Sequence, residues 1–385
     1  MSVLVLQSHL RPGPWVVRSL TDAGFRVVSG STRPFVGASL SGGVAASARL
    51  PSPADDLHRF VAAVREAVRR ESVDVILPLT ETTLAALIVD GDDDIAAMVA
   101  GPTPAQYELL SDKGRLPELA AGVGVATLAG VVAGPAAPCA ALPAPPVVVK
   151  PLASATLQHG AVVYERPVLA LTETERDRAV ARIAATTGRA LVQPFASGAR
   201  LHVHAWRSRG AAGGLVTRVR RSWPPEIGMA SAATVADEPD ALVAVSAILD
   251  AADYRGVASA DMIRLDDGRL ALHDVNPRVP FSVAEAIFGG LDTPRIAVQI
   301  ALGEEPEGCR PGPAGRDYHW ASGEIRWLTR RGGGVVAREL ADALMRRDGT
   351  VDPLSARVAV QGVVDLMGTA VARLSRRRPF RGSRR

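Results

Sequence analysis

Short apolar segments that alternate with amphipathic segments constrain the fold of this chain more than any other feature. Residues 3–6 (VLVL) predict a buried strand, and after a turn-rich loop residues 15–23 and 25–29 predict a helix and a second strand. A further helix is predicted at 55–70 and a further strand at 73–78. This order predicts an α/β domain. The loop after the first strand lacks the G-x-G-x-x-G pattern, so the sequence does not support a dinucleotide site.

The second part of the chain is richer in strands than in helices. Its predicted strands are at 147–150, 161–164, 191–195, 201–206, 214–221, 257–265 and 269–278. Asp267-Gly268 between the last two is a strong signal for a β-hairpin. Helices are predicted at 173–187 and 237–253. A chain of 385 residues has room for two to three domains of about 150 residues each.

Composition excludes several classes of protein. Hydrophobic residues make up 47% and charged residues 22% of the chain, which is typical of a globular protein. No apolar run reaches the ~18 residues that a membrane-spanning helix needs, and the N-terminus predicts a strand rather than a signal peptide. The two cysteines, Cys139 and Cys309, give neither a disulfide framework nor a zinc site. We therefore expect a cytoplasmic protein.

The C-terminal tail accounts for the net charge of +4. Six of the 44 basic residues are arginines within 376–385, so the rest of the chain is close to neutral. This distribution argues against a nucleic-acid groove spread over the fold. Residues 363–374 can form an apolar helical face before the tail, which leaves two interpretations open. The segment contacts an anionic membrane surface, or it packs on the body and the tail only adds solubility, which we favour.

Three residues stand out because their types are so rare in this chain. Lys113 and Lys150 are its only lysines among 44 basic residues, and Asn276 is its only asparagine. A composition rich in Ala, Gly, Pro and Arg indicates GC-rich coding, under which lysine is readily replaced by arginine. A lysine that persists indicates a site where a compact ammonium is needed and a planar guanidinium does not fit.

The order of these motifs resembles the ATP-grasp superfamily, within it the carbamoyl-phosphate-synthetase-like and D-aspartate-ligase-like carboxylate–amine ligases. The resemblance rests on SDKGRL around Lys113, VVVKP around Lys150, LVQPF at 191–195 and HDVNPR at 273–278, and it covers residues 1 to about 305. It implies a Rossmann-like pre-ATP-grasp domain followed by a two-lobed ATP-grasp fold, α/β overall and α+β in the ATP-grasp unit. The implied units are 1–110, the small lobe 111–190, the large lobe 191–310, and a helical extension 311–385.

The resemblance implies a nucleotide site between the lobes. Lys113 and Lys150 would contact the ATP phosphates as point charges. Ser154 and Thr156 would add hydroxyls from the loop at 151–160. Gln193 and Phe195 would contribute main-chain groups to the adenine edge, although the residue types there also suit an ordinary buried strand.

A metal site is implied at the hairpin. Asp261 and Asp274 lie on facing strands, and the two-residue period of a strand puts Asn276 on the same face as Asp274. Their oxygens suit Mg²⁺, or Mn²⁺ in its place, bridging ATP phosphates. Arg278 would act with Lys150 as a catalytic residue and stabilise the transferring phosphoryl group. The other interpretation of these acids is that they are surface residues at a turn, which describes Asp266 and Asp267 better than Asp261 and Asp274.

The implied activity is ATP-dependent joining of a small-molecule carboxylate to an amine or related nucleophile through an acyl phosphate, with release of ADP and phosphate. Three departures from the family pattern favour an alternative, a non-catalytic nucleotide-binding module. Asp261 and Asp274 replace glutamates, the phosphate loop has only Gly160, and the acid expected near the hinge for the ribose is missing. The retained lysines and Asn276 favour the enzyme.

Three further sets of residues allow two interpretations each. Glu81 is a ligand-binding acid at a strand end or, as we favour, a first-turn acid that complements the helix dipole. His202 and His204 are a metal pair or, more typical of alternating residues on a strand, a solvated face. Arg220, Arg221 and the loop at Gly228 lie where the resemblance implies binding of the acceptor substrate, or they belong to an exposed basic strand.

Overall fold

The computed structural model describes residues 1–33, 43–89, 91, 93–135, 141–306, 312–328 and 333–345. The predicted apolar helix at 363–374, the Arg-rich tail, Cys139 and Cys309 lie outside these residues. Within them the chain is a mixture of α and β structure, as predicted. No helix in these ranges is long and apolar enough to cross a membrane.

A parallel sheet of four strands forms the N-terminal part, in the order β3-β2-β1-β4. The strands are β1 (Ser2–Leu6), β2 (Arg26–Ser31), β3 (Val44–Arg49) and β4 (Val75–Pro78). Val3 and Val5 pack into one apolar core and Leu4 and Leu6 into another, so the sheet is covered on both faces. The strands predicted at 3–6, 25–29 and 73–78 are confirmed, whereas β3 was not predicted.

The helices of this part follow sequence signals at their ends. They are α1 (Gly13–Asp22), α2 (Leu57–Glu71), α3 (Glu81–Val89), α4 (Asp93–Ala97), α5 (Pro104–Ser111) and α6 (Leu116–Gly122). Asp56 caps α2, because its carboxylate accepts a hydrogen bond from the N–H of Arg59 at 2.9 Å. Thr80 precedes α3 and its hydroxyl accepts from the N–H of Thr83 at 3.2 Å, so α3 begins directly after β4.

A small antiparallel sheet follows, in the order β5-β10-β6-β9. Its strands are β5 (Val131–Ala133), β6 (Val147–Pro151), β9 (Val168–Ala170) and β10 (Ala190–Pro194), and α7 (Glu173–Thr187) packs on it. The loop predicted at 151–160 is instead mostly the first half of a hairpin formed by β7 (Ala155–Gln158) and β8 (Ala161–Tyr164). His159 and Gly160, with φ of 49° and 76°, form its turn.

The hairpin of β7 and β8 is attached to the N-terminal part. The N–H of Leu57, at the start of α2, donates to the carbonyl of Gly160 at 2.9 Å, and the N–H of Val162 donates to the carbonyl of Pro53 at 2.8 Å. Ala155 and Val162 belong to the same apolar core as α2 and α3. The small lobe and the N-terminal part therefore share packing at this point.

The third sheet is the largest, with six strands in the order β15-β14-β11-β12-β13-β16. Its strands are β11 (Gly198–Arg207), β12 (Ala212–Trp223), β13 (Met229–Ala236), β14 (Gly256–Leu265), β15 (Leu270–Asn276) and β16 (Asp317–His319). The helices around it are α8 (Pro239–Ala251), α9 (Val283–Phe288), α10 (Thr293–Ala301), α11 (Ala321–Leu328) and α12 (Gly333–Met345). The hairpin predicted across Asp267-Gly268 is confirmed. The domain boundaries at 110, 190 and 310 stay predictions.

Candidate functional site

A cavity of about 290 Å³ lies between the small sheet and the large sheet. Residues that line it come from β6, β10, β14 and β15, and include Val148, Lys150, Gln193, Phe195, Asp261 and Asp274. The fold therefore brings together residues more than 100 positions apart in the chain. We call this space the first cavity.

Lys113 and Lys150 lie on different elements, and of the two only Lys150 lines the first cavity. Lys113 follows α5, and its Nζ lies 3.1 Å from Asp274 Oδ1 and donates to the hydroxyl of Ser154 at 3.3 Å. Burial opposes the charge of Lys113, but the adjacent Asp274 carboxylate raises the pKa of this lysine above its usual value. Lys150 has no carboxylate so close, and burial lowers its pKa to about 8 despite the attraction of Asp274.

Asp261, Asp274 and Asn276 share one face of the hairpin of β14 and β15. Asp261 lies opposite Asp274 in the antiparallel register, and Asn276 lies opposite Ser259. Two carboxylates and an amide oxygen on one face are a donor set that suits Mg²⁺. The ammonium of Lys113 beside Asp274 shows that this face already attracts a cation. The residues therefore fit the implied metal.

A β-bulge in β15 adds a residue that the sequence analysis missed. The register shifts after Asp261, so that Met262 pairs with Leu272 and His273 is the extra residue. The Nδ1 atom of His273 lies 3.2 Å from Lys150 Nζ, and the ring lines the first cavity. Burial, and then the charge of Lys150, lower the pKa of His273 well below its usual value. A neutral His273 can therefore accept a hydrogen bond from Lys150.

Arg278 donates to three acceptors, one of them the carbonyl of Val279 at 3.3 Å. Its Nε donates to Glu81 Oε2 at 3.1 Å, and its Nη2 donates to Asn276 Oδ1 at 3.2 Å. Glu81 is the first residue of α3, as the favoured interpretation has it, but it is also buried against Arg278. Glu81 thus orients Arg278, a residue of the candidate site. The position of Glu81 in the first turn of a helix does not by itself predict this contact.

The predicted hinge leaves fewer main-chain groups free than expected. Gln193 pairs with Val148 in the small sheet, and its side-chain amide donates to the carbonyl of Leu128 at 2.9 Å. The N–H of Phe195 donates to the carbonyl of Pro146 at 2.9 Å, so this donor is not available to a ligand in this arrangement. Both residues line the first cavity, and their role at an adenine edge stays a prediction.

Ser154 and Thr156 differ in their surroundings. The hydroxyl of Ser154 contacts Lys113, as given above. The Thr156 hydroxyl is buried in β7 and makes no hydrogen bond with any part of the chain that the structure describes. Neither residue is among those that line the first cavity. The structure thus brings Ser154, but not Thr156, into contact with another predicted site residue.

A second cavity of about 190 Å³ adjoins the first. Asp261, Arg200 and Ile227 line both cavities, so the two cavities share part of their lining. Further lining residues come from distant segments: the cations Arg11 and Arg278, the acid Glu285 and the neutral Asn276. Two adjoining cavities with a shared carboxylate can hold two reactants next to each other.

The prediction that His202 and His204 form a solvated face is wrong. His202 has 8% and His204 0% of its surface exposed, because β11 is a central strand covered on both faces. His202 Nδ1 lies 3.0 Å from Glu285 Oε2, and its Nε2 lies 3.5 Å from Asp261 Oδ1. Although burial alone would lower it, the pKa of His202 is raised by Glu285. One ligand atom each of His202, His204 and Glu285 lie within 4.8 Å of one another.

We expect the substitution Glu285→Gln to lower the free energy of unfolding by about 3 kcal/mol, because it leaves the buried His202 without its charged partner. Glu285 is 1% exposed and also accepts a hydrogen bond from Thr217 at 3.0 Å. Urea unfolding of the variant measures the loss. Glu118→Gln, at an exposed position of α6, is the control and should change stability by less than about 0.5 kcal/mol. Equal stabilities of the two variants would contradict the expectation.

Arg220 is exposed and Arg221 is partly exposed on β12, and both pair with acids, whereas their role in binding an acceptor substrate stays a prediction. Arg221 Nη1 lies 2.8 Å from Glu339 Oε2, and its Nε donates to Glu324 at 3.1 Å. Arg220 also pairs with Glu339. Their charges are therefore balanced by acids of α11 and α12, and they do not line the second cavity, although Gly228 does.

Comparison with known proteins supports the fold. No protein-family model and no curated protein matches the chain. The L-amino acid ligase from Bacillus licheniformis is 16% identical, with a TM-score of 0.60 over 80% of this chain and 77% of the other. A biotin carboxylase–ATP complex from Campylobacter jejuni is 14% identical, with a TM-score of 0.62 over 80% and 72%.

The N5-carboxyaminoimidazole synthetase from Staphylococcus aureus, complexed with ADP, is 12% identical, with a TM-score of 0.62 over 81% of this chain and 80% of the other. The three similarities cover 80% or 81% of this chain. The chain therefore has the ATP-grasp fold, the fold that its motifs resemble.

Proposed function

We propose that this protein is an ATP-dependent ligase that joins a small carboxylic acid to an amine or related nucleophile. The observation that carries the proposal is the wall shared by the two cavities. Asp261 lines both, with the buried Lys150 on one side and Arg278 on the other. A nucleotide in the first cavity and an acid in the second would meet at this wall. The names of the structural neighbours, an amino acid ligase among them, fit such a reaction.

The nucleotide would be bound by groups that the fold already orients. Lys150, positioned by His273, and Lys113, positioned by Ser154, would contact the phosphates as point charges. The hinge around Phe195 would hold the base. Phosphoryl transfer needs mainly positioning and electrostatic stabilisation, so a site without a covalent nucleophile is sufficient.

The reaction would proceed in two steps. A carboxylate oxygen of the acid attacks the γ-phosphorus of ATP, the bond to the β-phosphate oxygen breaks, and ADP leaves. Arg278, held by Glu81, would stabilise the charge of the transferring group. The amine nitrogen then attacks the acyl carbon, phosphate leaves, and the nitrogen loses a proton. Asp261, Asp274 and Asn276 would hold Mg²⁺, which neutralises phosphate charge when bound.

The alternative is a nucleotide-binding module without turnover. The two aspartates in place of the family's glutamates favour it, because each carboxylate is one methylene shorter. Incubation with Mg²⁺ and ATP, and with panels of carboxylic acids and amines, distinguishes the two functions. The ligase forms ADP and phosphate only when an acid is present, and it forms the amide when an amine is added. ATP binding without acid-dependent ADP formation across the panel would identify the module.

The pKa of Lys150 gives an expected pH dependence. Burial lowers it to about 8, so the ammonium loses its proton as the pH rises through about 8 rather than at the usual value of about 10. We therefore expect the apparent affinity for ATP to fall between about pH 7 and pH 9, and Lys150→Arg to abolish this fall because a guanidinium stays charged. Calorimetric titration with a non-hydrolysable ATP analogue across this range is the measurement. A flat wild-type profile would contradict the expectation.

A further inference from the structure

We propose that Arg11 binds a second anionic group of the acid substrate, so that the preferred acid carries at least two negative charges. The inference rests on the proposed function, since it concerns the acid that would occupy the second cavity. It concerns an arginine that the N-terminal part contributes, from the loop between β1 and α1. That loop has no dinucleotide motif and no role in the site described so far.

Arg11 is fixed in place without a carboxylate partner. Its guanidinium carbon lies 3.8 Å from the ring centroid of Trp320, which indicates a cation–π contact. Its Nη2 donates to the hydroxyl of Tyr318 at 3.0 Å and to the carbonyl of Ala230 at 3.4 Å. Its Nε is buried and makes no hydrogen bond within the described ranges. The group is therefore oriented in advance and retains donor capacity.

The charges around the second cavity do not balance. Among its described lining residues, Arg278 is paired with Glu81, and Glu285 is paired with His202. Asp261 belongs to the proposed metal site. Two guanidiniums, those of Arg11 and Arg200, have only neutral acceptors, because Arg200 donates to main-chain carbonyls at 2.8 and 3.1 Å. Partly buried cations without anionic partners are costly unless a ligand supplies the negative charge.

The two unpaired arginines are not equivalent. Arg200 lines both cavities, so it lies where a phosphoryl group would pass to the acid. Arg11 lines only the second cavity. Glu285 is near enough for its charge to attract Arg11, but its direct contacts are with His202 and Thr217. A single reacting carboxylate near Arg278 and Arg200 would therefore leave Arg11 without an anion in direct contact. A second acidic group on the same molecule removes this imbalance, and the cavity of about 190 Å³ limits the molecule to a small one.

Matched pairs of acids test the proposal by calorimetry, with Mg²⁺ and a non-hydrolysable ATP analogue present. L-glutamate is compared with L-glutamine and L-aspartate with L-asparagine, because each pair differs by one charge at nearly equal shape. O-phospho-L-serine is compared with L-serine, so that the arms distinguish a second carboxylate from a phosphate. We expect the more charged member of at least one pair to bind about 10-fold or more tightly.

Variants assign the preference to Arg11. Arg11→Gln should abolish the difference within the pair, whereas Arg11→Lys, which keeps the charge, should retain part of it. Arg18→Gln on the exposed face of α1 is the matched control and should behave like the wild type. Thermal unfolding verifies that each variant is folded. If Arg11→Gln does not fold, the comparison of matched acids with the wild-type protein still tests the proposal.

The outcomes separate this proposal from the proposed function. Equal affinities within every pair, or a preference that survives in a folded Arg11→Gln variant, would overturn the role of Arg11. Formation of ADP with singly charged acids at equal efficiency would overturn it as well, and would leave the ligase intact. Tight, Arg11-dependent binding of a dianion without any ADP formation would support the role of Arg11 and refute the ligase.

Discussion

Replacing Asp274 with Asn and Asn276 with Ala in one variant is expected to reduce Mg²⁺-dependent ADP formation at least about 100-fold, because it removes one of two facing carboxylates and the amide oxygen beside it. Asp261 lies opposite Asp274 in the hairpin, and one remaining carboxylate binds a hard cation weakly. The measurement is ADP formation as a function of Mg²⁺ concentration. The fold should be retained, since Asp274 and Asn276 are both partly exposed.

Asp267→Asn in the turn of the same hairpin is the matched control. Asp267 is exposed and pairs only with its neighbour Arg269 at 2.8 Å, so its loss should leave turnover unchanged. Replacing Asp261 and Asp274 with Glu restores the family's usual length of side chain and is expected to maintain or raise activity. Full Mg²⁺-dependent activity of the Asp274 variant would refute the metal assignment.

Lys150→Met is expected to weaken ATP binding about 10- to 100-fold, the range for loss of a hydrogen bond to a charged group. Lys150→Arg should also weaken it, although less. Lys150 is 7% exposed and its Nζ lies 3.2 Å from His273, so a planar guanidinium has neither the room nor the geometry of a point charge. Titration with a non-hydrolysable ATP analogue measures the affinity.

Arg189→Met is the control for these variants, because Arg189 lies exposed at the end of α7 in the same lobe. Its substitution should leave the affinity unchanged. If the affinity of Lys150→Arg equals that of the wild type, the rarity of lysine in this chain says nothing about function. If Lys150→Met also binds normally, the first cavity is not the nucleotide site.

Local signals predicted the elements that bring the site together. The strands and helices of the N-terminal part and the turn at Asp267-Gly268 are predicted from residues close in sequence. The predicted β1, β2 and β4 and this turn are found in the structure. The same holds for the common face of Asp274 and Asn276, which follows from the period of a strand. Strands such as β3, whose sequence VAASAR is mostly small residues without a regular apolar pattern, give too weak a signal to predict.

Contacts between distant segments could not be predicted. The solvated face assigned to His202 and His204 failed because burial of a strand on both faces depends on the elements that cover it, not on its own alternation. The bulge that turns His273 toward Lys150 has no local signature in sequence. Arg11 meets Trp320 across more than 300 residues, and only the packing of the N-terminal part on the large sheet brings them together.

The attachment of the β7–β8 hairpin to the N-terminal part has a consequence for how far the small sheet can move on its own. Lifting this hairpin away from the N-terminal part would break both main-chain hydrogen bonds to Leu57 and Pro53 and expose Ala155 and Val162 to water. Such an opening carries a free-energy cost that a freely hinged flap does not have. Any motion of the small sheet that carries this hairpin along therefore depends on Pro53 and Leu57, which do not line the first cavity.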